Sequence, residues 1–503
     1  MHPVRQVLQG GLILPEISIE QVVEEGLCVG CGACASVANS PFQMRMTEFG
    51  LYEPQRVAAD GMSHVAGGRD EQASERAALQ VCPFSGAGRN EDEISAKRFP
   101  DLPHHPLIGR WRDIRAAHVT VDGFRSRGSS GGMTSWFLSE LFRLDLIDAA
   151  IHVRPQGPEE GGPLFTYDVS SSADEAVAWQ KSRYHVVEMS QAINLVRSTS
   201  LRYAFVGLPC FVRSIRSLTE VDLQIQAGLV ITIALVCGHL KSSRYAEYLA
   251  WTQGIPPGAL EEMDFRHKQR GRPADRYGIQ AVGRDREGNR VKRERTVDHI
   301  RWSDWGIGLF KVPACDYCDD VVGETADVSF GDAWLSQFRP ETEGKNLVIT
   351  RSELAERIVS DGVSRHEIDS VRLSPDDAAR SQESGFRHRR EGLAVRLAER
   401  QRTGRYTPPK RVVPDSEALG TAFGTRILAR EIIAQQSHSQ YAEARRANDL
   451  SAFYRFMKGP IRRYRGSSPK SLALSFLETV ERRTPYLIVR LGSRIRSVVH
   501  LNR

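Results

Sequence analysis

The chain has 503 residues and a net charge of +6, with 41% hydrophobic and 26% charged residues. That balance is globular, and it excludes a wholly disordered chain, a collagen and a small disulfide knot. The charge is uneven: residues 371–503 carry 27 Lys+Arg against 12 Asp+Glu, and residues 1–370 carry 41 against 50.

At the start, Gly10, Gly11 and Pro15 break the apolar stretch after Arg5, so no signal peptide is read. The longest apolar run, Leu229 to Cys237, is far shorter than the about 20 residues of a membrane-spanning helix. The expected location is therefore the cytoplasm. Thiols stay reduced there, so the eight cysteines point to metal binding or redox chemistry rather than disulfides.

Cys28-Val-Gly-Cys31-Gly-Ala-Cys34 is a C-x2-C-x2-C run. Three thiolates on one tight loop can hold three corners of a 4Fe–4S cube. Gly30 and Gly32 let the backbone wrap closely. A two-cluster ferredoxin run would place its next cysteine at position 38, which is Ala38 here. The fourth ligand is expected at Cys82, in the ferredoxin-like ending Val81-Cys82-Pro83. A structural zinc site is the alternative, although zinc usually takes separated C-x2-C knuckles.

Gly128-Ser129-Ser130-Gly131-Gly132 leads into Met133 and Thr134. Helical spacing of Met133, Trp136, Phe137 and Leu141 predicts a helix over Met133 to Arg143. A Gly/Ser turn opening a helix offers free amides to an anion and suits a dinucleotide pyrophosphate. It is neither a Walker motif nor G-x-G-x-x-G, and a plain turn before a capped helix competes with this reading. Lys181-Ser182-Arg183-Tyr184 is a second candidate anion or flavin contact, against a solvated basic turn.

The apolar runs Tyr203 to Pro209 and Leu229 to Val236 read as buried strands, followed by Cys210 and Cys237. Parallel strands would deliver both cysteines to one sheet edge. Cys315-Asp-Tyr-Cys318 is a C-x2-C knuckle after Pro313. These four thiols suit a second cube or zinc, or else a knuckle with two unrelated core cysteines. His239 is a candidate proton donor, against a structural role.

Residues 346–410 are mixed, and Thr407-Pro-Pro-Lys-Arg411 reads as a linker. Asp449 to Lys458 reads as a helix. Ser468-Pro469 and Thr484-Pro485 each place a cap before a first-turn proline and predict two more helices. In the last, Leu487, Ile488, Leu491, Ile495 and Val498 share a side, with Arg490, Arg494 and Arg496 interspersed. That basic amphipathic pattern suits an acidic partner such as ferredoxin or an anionic membrane surface, against a solvated helical appendage. No nucleic-acid partner is expected, because no reader motif is present.

In this order the motifs resemble the coenzyme F420 hydrogenase/dehydrogenase beta-subunit family. The resemblance rests on C-x2-C-x2-C with Cys-Pro, Gly-Ser-Ser-Gly-Gly, Lys-Ser-x-Tyr, Val-Gly-x-Pro-Cys, Val-Cys-Gly, Phe-Arg-x-Lys, C-x2-C and Ala-Asp-Val-Ser-Phe-Gly-Asp. It covers roughly residues 20–340. Relatives include ferredoxin-dependent chlorophyll-pathway reductases such as hydroxymethyl chlorophyll a reductase. The resemblance implies FAD and 4Fe–4S clusters, with Gly128, Ser129, Ser130, Gly131, Gly132, Thr134, Lys181, Ser182 and Tyr184 on the flavin nucleotide. It raises the standing of Cys210, Cys237, Cys315 and Cys318 as a second cluster site beside Cys28, Cys31, Cys34 and Cys82. Asp327 and Asp332 would be structural or near the flavin. Lys181 and Arg183 depart from the family's Gly-Ser-Lys-Tyr, and Gln-Arg-Gly-Arg after Lys268 replaces an aromatic stretch.

The expected architecture is a mixed α/β (α+β) core between a ferredoxin-like 4Fe–4S segment and an all-helical basic extension. The divisions are 1–100, 101–345 for the flavin and second-cluster core, 346–410 as linker or accessory region, and 411–503. The expected function is an iron–sulfur flavoprotein oxidoreductase. Electrons would pass from a ferredoxin-like or reduced deazaflavin donor through two 4Fe–4S clusters to FAD and a small-molecule or glycan-related substrate, with surface-polysaccharide synthesis as one setting. His239 and Lys268 are the candidate proton donors. The C-terminal helices would contact the inner face of the membrane. Alternatives are a non-catalytic electron-transfer subunit, a pigment reductase and a zinc-stabilised binding protein.

Overall fold

A computed structural model describes residues 17–57, 72–156, 162–269 and 271–466, together with the backbone of 6–9, 12–15 and 67–71. The helices expected after Ser468 and Thr484, and the basic amphipathic segment Leu487 to Val498, lie outside the described residues. Among the described residues no helix is long and apolar enough to cross a membrane.

The core is a mixed eight-stranded sheet with strand order 368–372, 113–119, 346–350, 328–332, 229–235, 203–207, 149–155, 165–170. The strands Ala149–Pro155, Tyr203–Gly207, Leu229–Leu235 and Val328–Asp332 are mutually parallel. Antiparallel strands extend the sheet on both sides. Both faces are covered, which is why the inner strands read as unbroken apolar runs. Along strand 203–207 the faces alternate: Ala204 and Val206 join one core cluster, Tyr203 and Phe205 the other.

The helix Met133–Arg143 packs Trp136, Phe137 and Leu141 into the first cluster, where the helix Glu353–Ser364 adds Ile358 and Val359. The helix Pro209–Val221 covers the opposite face with Phe211, Val212, Ile215 and Leu218. Pro209 stands in its first turn, where a missing N–H costs no helical hydrogen bond.

Three further pieces frame the sheet edge. At the N-terminal end, the helix Ile19–Glu24 starts at a Ser18/Gln21 capping box, and the hairpin Phe42–Met46/Tyr52–Arg56 and helix Gly67–Val81 follow. A three-stranded antiparallel sheet comprises Leu260–His267, Gly278–Arg284 and Arg290–Thr296. The helices Ala422–Arg446 and Leu450–Gly466 pair with each other. They dock through Tyr441 and Phe453 onto Tyr248 and Phe310, with ring centroids 5.1–6.4 Å apart.

Candidate functional site

The loop Cys28 to Cys34 turns tightly because Gly30 and Gly32 have φ of +73° and +85°. A Cβ at Gly30 would sit 2.6 Å from the carbonyl oxygen of Tyr52. The amide of Gly30 donates to the Cys28 sulfur at 3.4 Å. Cys82, just beyond the helix Gly67–Val81, returns to this loop and closes a cavity lined by Ile19, Val22, Met44, Pro54, Phe84 and all four cysteines. Burial and then Cys82 push Cys28 well above the usual thiol range. Burial, Cys31, Cys28 and Cys82 do the same to Cys34, and Cys31 rises to about 12. This is the outer quartet.

The second four cysteines also converge. Cys210 lies in the first turn of helix 209–221, and Cys237 follows strand 229–235. The turn Pro313–Tyr317 presents Cys315 and leads into Cys318. Burial raises Cys210, and Cys318, Cys237 and Cys315 each raise it further. The amide of Leu240 donates to the Cys315 sulfur at 3.3 Å. This is the inner quartet.

Ser214, one helical turn after Cys210, joins the two sites. Its hydroxyl donates to the Cys210 carbonyl at 2.9 Å and lies 3.7 Å from the Cys31 sulfur. Among the described residues no group of three or more His, Cys, Asp or Glu is arranged to hold a metal ion. The quartets are thiols within mutual electrostatic range, not closed ligand shells.

The glycine loop follows strand 113–119 at the same sheet edge as Asp332 and Asn346. Asn346 Oδ1 accepts from the Met133 amide at 3.1 Å, and a Cβ at Gly131 would lie 2.8 Å from that oxygen. Gly132 caps the helix with φ +82°, and Thr134 stands in its first turn. The Ser182 amide donates to Ser129 Oγ at 2.8 Å, which brings the Lys181 to Tyr184 segment against the loop. Arg266 is the hub. It donates to Asp332 at 3.0 Å, to the Ser129 carbonyl at 3.3 Å and to the Tyr184 hydroxyl at 3.4 Å. Lys181 pairs with Asp264 at 3.0 Å. Lys268 donates to the carbonyls of Arg125 at 2.5 Å and Ser130 at 3.3 Å. Burial, reinforced by Lys181, Arg125 and Arg266, lowers its pKa to about 8.

His239 lies elsewhere, beside the inner quartet. It stacks on Trp305 at 4.2 Å, and Trp305 meets Tyr184 at 4.8 Å. Its Nε2 is buried without a partner, and burial followed by Lys241 holds the ring neutral. Asp327 is internal, paired with Arg216 at 2.6 Å, whereas Asp332 faces the glycine loop through Arg266. Ser214, Asn346, Trp305 and the hub role of Arg266 were missed in the sequence, since each acts across more than 60 residues of chain.

The N-terminal model of the coenzyme F420 hydrogenase/dehydrogenase beta subunit matches residues 114–194, and the C-terminal model matches residues 200–376. The chain belongs to this beta-subunit family. The family is one of oxidoreductase subunits, and both matched stretches meet at the sheet edge just described. A solved structure, a xenon derivative of the F420-reducing [NiFe] hydrogenase complex from Methanosarcina barkeri, is similar at 15% identity and a TM-score of 0.45. The likeness covers 61% of this chain and 99% of that one. Comparison with curated proteins gives no match. The family match ends at residue 376, before the helices 383–389, 391–402, 422–446 and 450–466.

Proposed function

We propose that this chain is an iron–sulfur flavoprotein oxidoreductase with a 4Fe–4S site at each quartet and FAD on the glycine loop. One observation carries the reading: two buried or half-buried thiol quartets are joined through Ser214, and His239, Trp305 and Tyr184 lead from beside the inner one to Arg266 at the glycine loop. The donor set fits. Soft buried thiols with amides donating to sulfur suit an iron–sulfur core, whose positive charge would offset the raised thiol pKa values. The loop fits as well, because Gly131 leaves no room for a side chain and Lys268 stands at it bonded to backbone carbonyls, beside Arg266 and Lys181 in their pairs with Asp332 and Asp264. When bound, the clusters supply one-electron transfer and the flavin couples it to two-electron reduction of an organic substrate.

The chain's own residues have separable tasks. The eight cysteines would hold the clusters, with the outer quartet nearer a ferredoxin-like or deazaflavin donor. Ser129, Ser182 and Tyr184 would orient the flavin nucleotide. Lys268 is the better placed of the two expected proton donors. Its amine stands at the loop, whereas His239 is neutral and stacked on Trp305.

The test is anaerobic purification with iron, sulfide, zinc and flavin measured per chain. About eight irons, eight sulfides and one FAD are expected, at four irons per cube. Zinc without flavin would overturn the reading. Cys31→Ser and Cys315→Ser should each remove about half the iron.

A further inference from the structure

A buried cation reaches the inner quartet from beyond the family match. Arg389 closes the helix Glu383–Arg389 and is 3% exposed. Its Nη2 donates to the carbonyls of Cys237 at 2.9 Å and Gly238 at 3.0 Å. Cys318, Cys237 and Cys315 all lie within its electrostatic range. Among the described residues it makes no ion pair with a carboxylate. Asp320 is the acid that bears on it, and that carboxylate is held by the amides of Val322, Gly323 and Glu324.

The outer quartet is surrounded differently. Of the cations that bear on it, Arg213 pairs with Glu91 at 3.0 Å and Lys410 with Asp319 at 3.5 Å, and the second pair bears on Cys318 of the inner quartet as well. Glu53 adds negative charge beside Cys28. At the inner quartet Asp319 and Asp320 bear on Cys318 against Arg389, so the field there differs from the outer one by a cation bonded to backbone carbonyls rather than to a carboxylate.

We propose that Arg389 is a positioning charge that raises the reduction potential of the inner site relative to the outer, favouring electron flow inward toward the glycine loop. This rests on the iron–sulfur reading of the quartets. Each electron delivered by the ferredoxin-class donor adds one negative charge to the site that accepts it. A guanidinium keeps its proton at any working pH, so Arg389 offsets that charge without proton uptake. Charge and hydrogen bonds around the sulfurs are established levers on cluster potential.

The experiment is an anaerobic redox titration of the full chain, loaded with its clusters and followed by electron paramagnetic resonance. Arg389→Met should move one of the two midpoints to more negative potential and leave the other in place. The moved signal should be the one that Cys315→Ser abolishes. Arg389→Lys keeps the charge and should retain the wild-type midpoint, and the Met shift should be the same at pH 6.5 and 8.5. Should Arg389→Met fail to fold, Arg389→Gln serves as the neutral variant that still donates to the two carbonyls. Unchanged midpoints in a neutral variant with full iron and sulfide, or equal shifts of both, would overturn the proposal. Wild-type protein without iron and sulfide would overturn the iron–sulfur reading, and this inference with it.

Discussion

At the scale of single residues, the glycine loop is as tightly constrained as the cysteine loop. Gly132 holds φ +82°, and a Cβ there would meet the Phe124 carbonyl carbon at 2.6 Å. Gly132→Ala should cost about 1–3 kcal/mol through backbone strain and lower bound flavin per chain. A melting curve with a flavin assay checks both. Lys268 gives a pH signature. Its pKa of about 8 in the ligand-free protein means the amine loses its charge as pH rises through that value. A bound anion would favour the charged form, so FAD affinity should fall between pH 7 and 9, and Lys268→Met should flatten the profile. Fluorescence titration of the flavin-free protein at the two pH values reads this directly. The motif-bearing residues were legible because their chemistry sits in short stretches of sequence. The hub role of Arg266, itself in a legible motif, and the place of Asn346 were not, because they exist only once distant strands meet. Nor does a sequence reveal Ser214 as a bridge, since a serine mid-helix carries no signal of what lies across from it.

At the scale of elements, the helix Met133–Arg143 has the bounds its apolar spacing predicts, and the runs ending before Cys210 and Cys237 are neighbouring parallel strands. Arg290–Thr296 is less legible. It carries the alternation of neither a core strand nor a helix, and forms a strand through its hairpin partner 278–284. The helix expected over Asp449 to Lys458 runs on to Gly466 despite Pro460. Packing of Phe453, Met457, Ile461 and Tyr464 against the core overrides the local break. Phe453 is the anchor of that contact, 1% exposed and in ring contact with Tyr248, Phe310 and Tyr441. Phe453→Ala should therefore lower unfolding free energy by about 3–5 kcal/mol, measured by urea denaturation. The stretch Thr407 to Arg411 has the composition of a linker, yet Arg411 pairs with Glu324 at 2.7 Å and Lys410 with Asp319 at 3.5 Å. Prolines punctuate a chain, but they do not say whether the side chains beside them are buried.

At the scale of the whole molecule, buried imidazoles set the acid limit of stability. His152, His185 and His438 are buried, and burial lowers each to a pKa of about 4 from an ordinary 6.5. Between these values the unfolded chain binds the proton and the folded chain does not. The stabilisation is present above pH 6.5 and is lost as pH falls toward 4, at up to about 3 kcal/mol for each ring. Unfolding midpoints in urea should drop steeply across that window, and His152→Asn should make the drop shallower. The sheet has a different kind of consequence, one that concerns the ribosome. Strand 113–119 finds both of its neighbours, 346–350 and 368–372, more than 200 residues later in the chain. At 5–20 residues per second, its edges stay unpaired for on the order of tens of seconds during synthesis. Asn346, which ties down the glycine loop, emerges equally late. A nascent chain halted before residue 346 should thus expose a sticky, unfinished edge to chaperones and be unable to take up flavin, however long it waits.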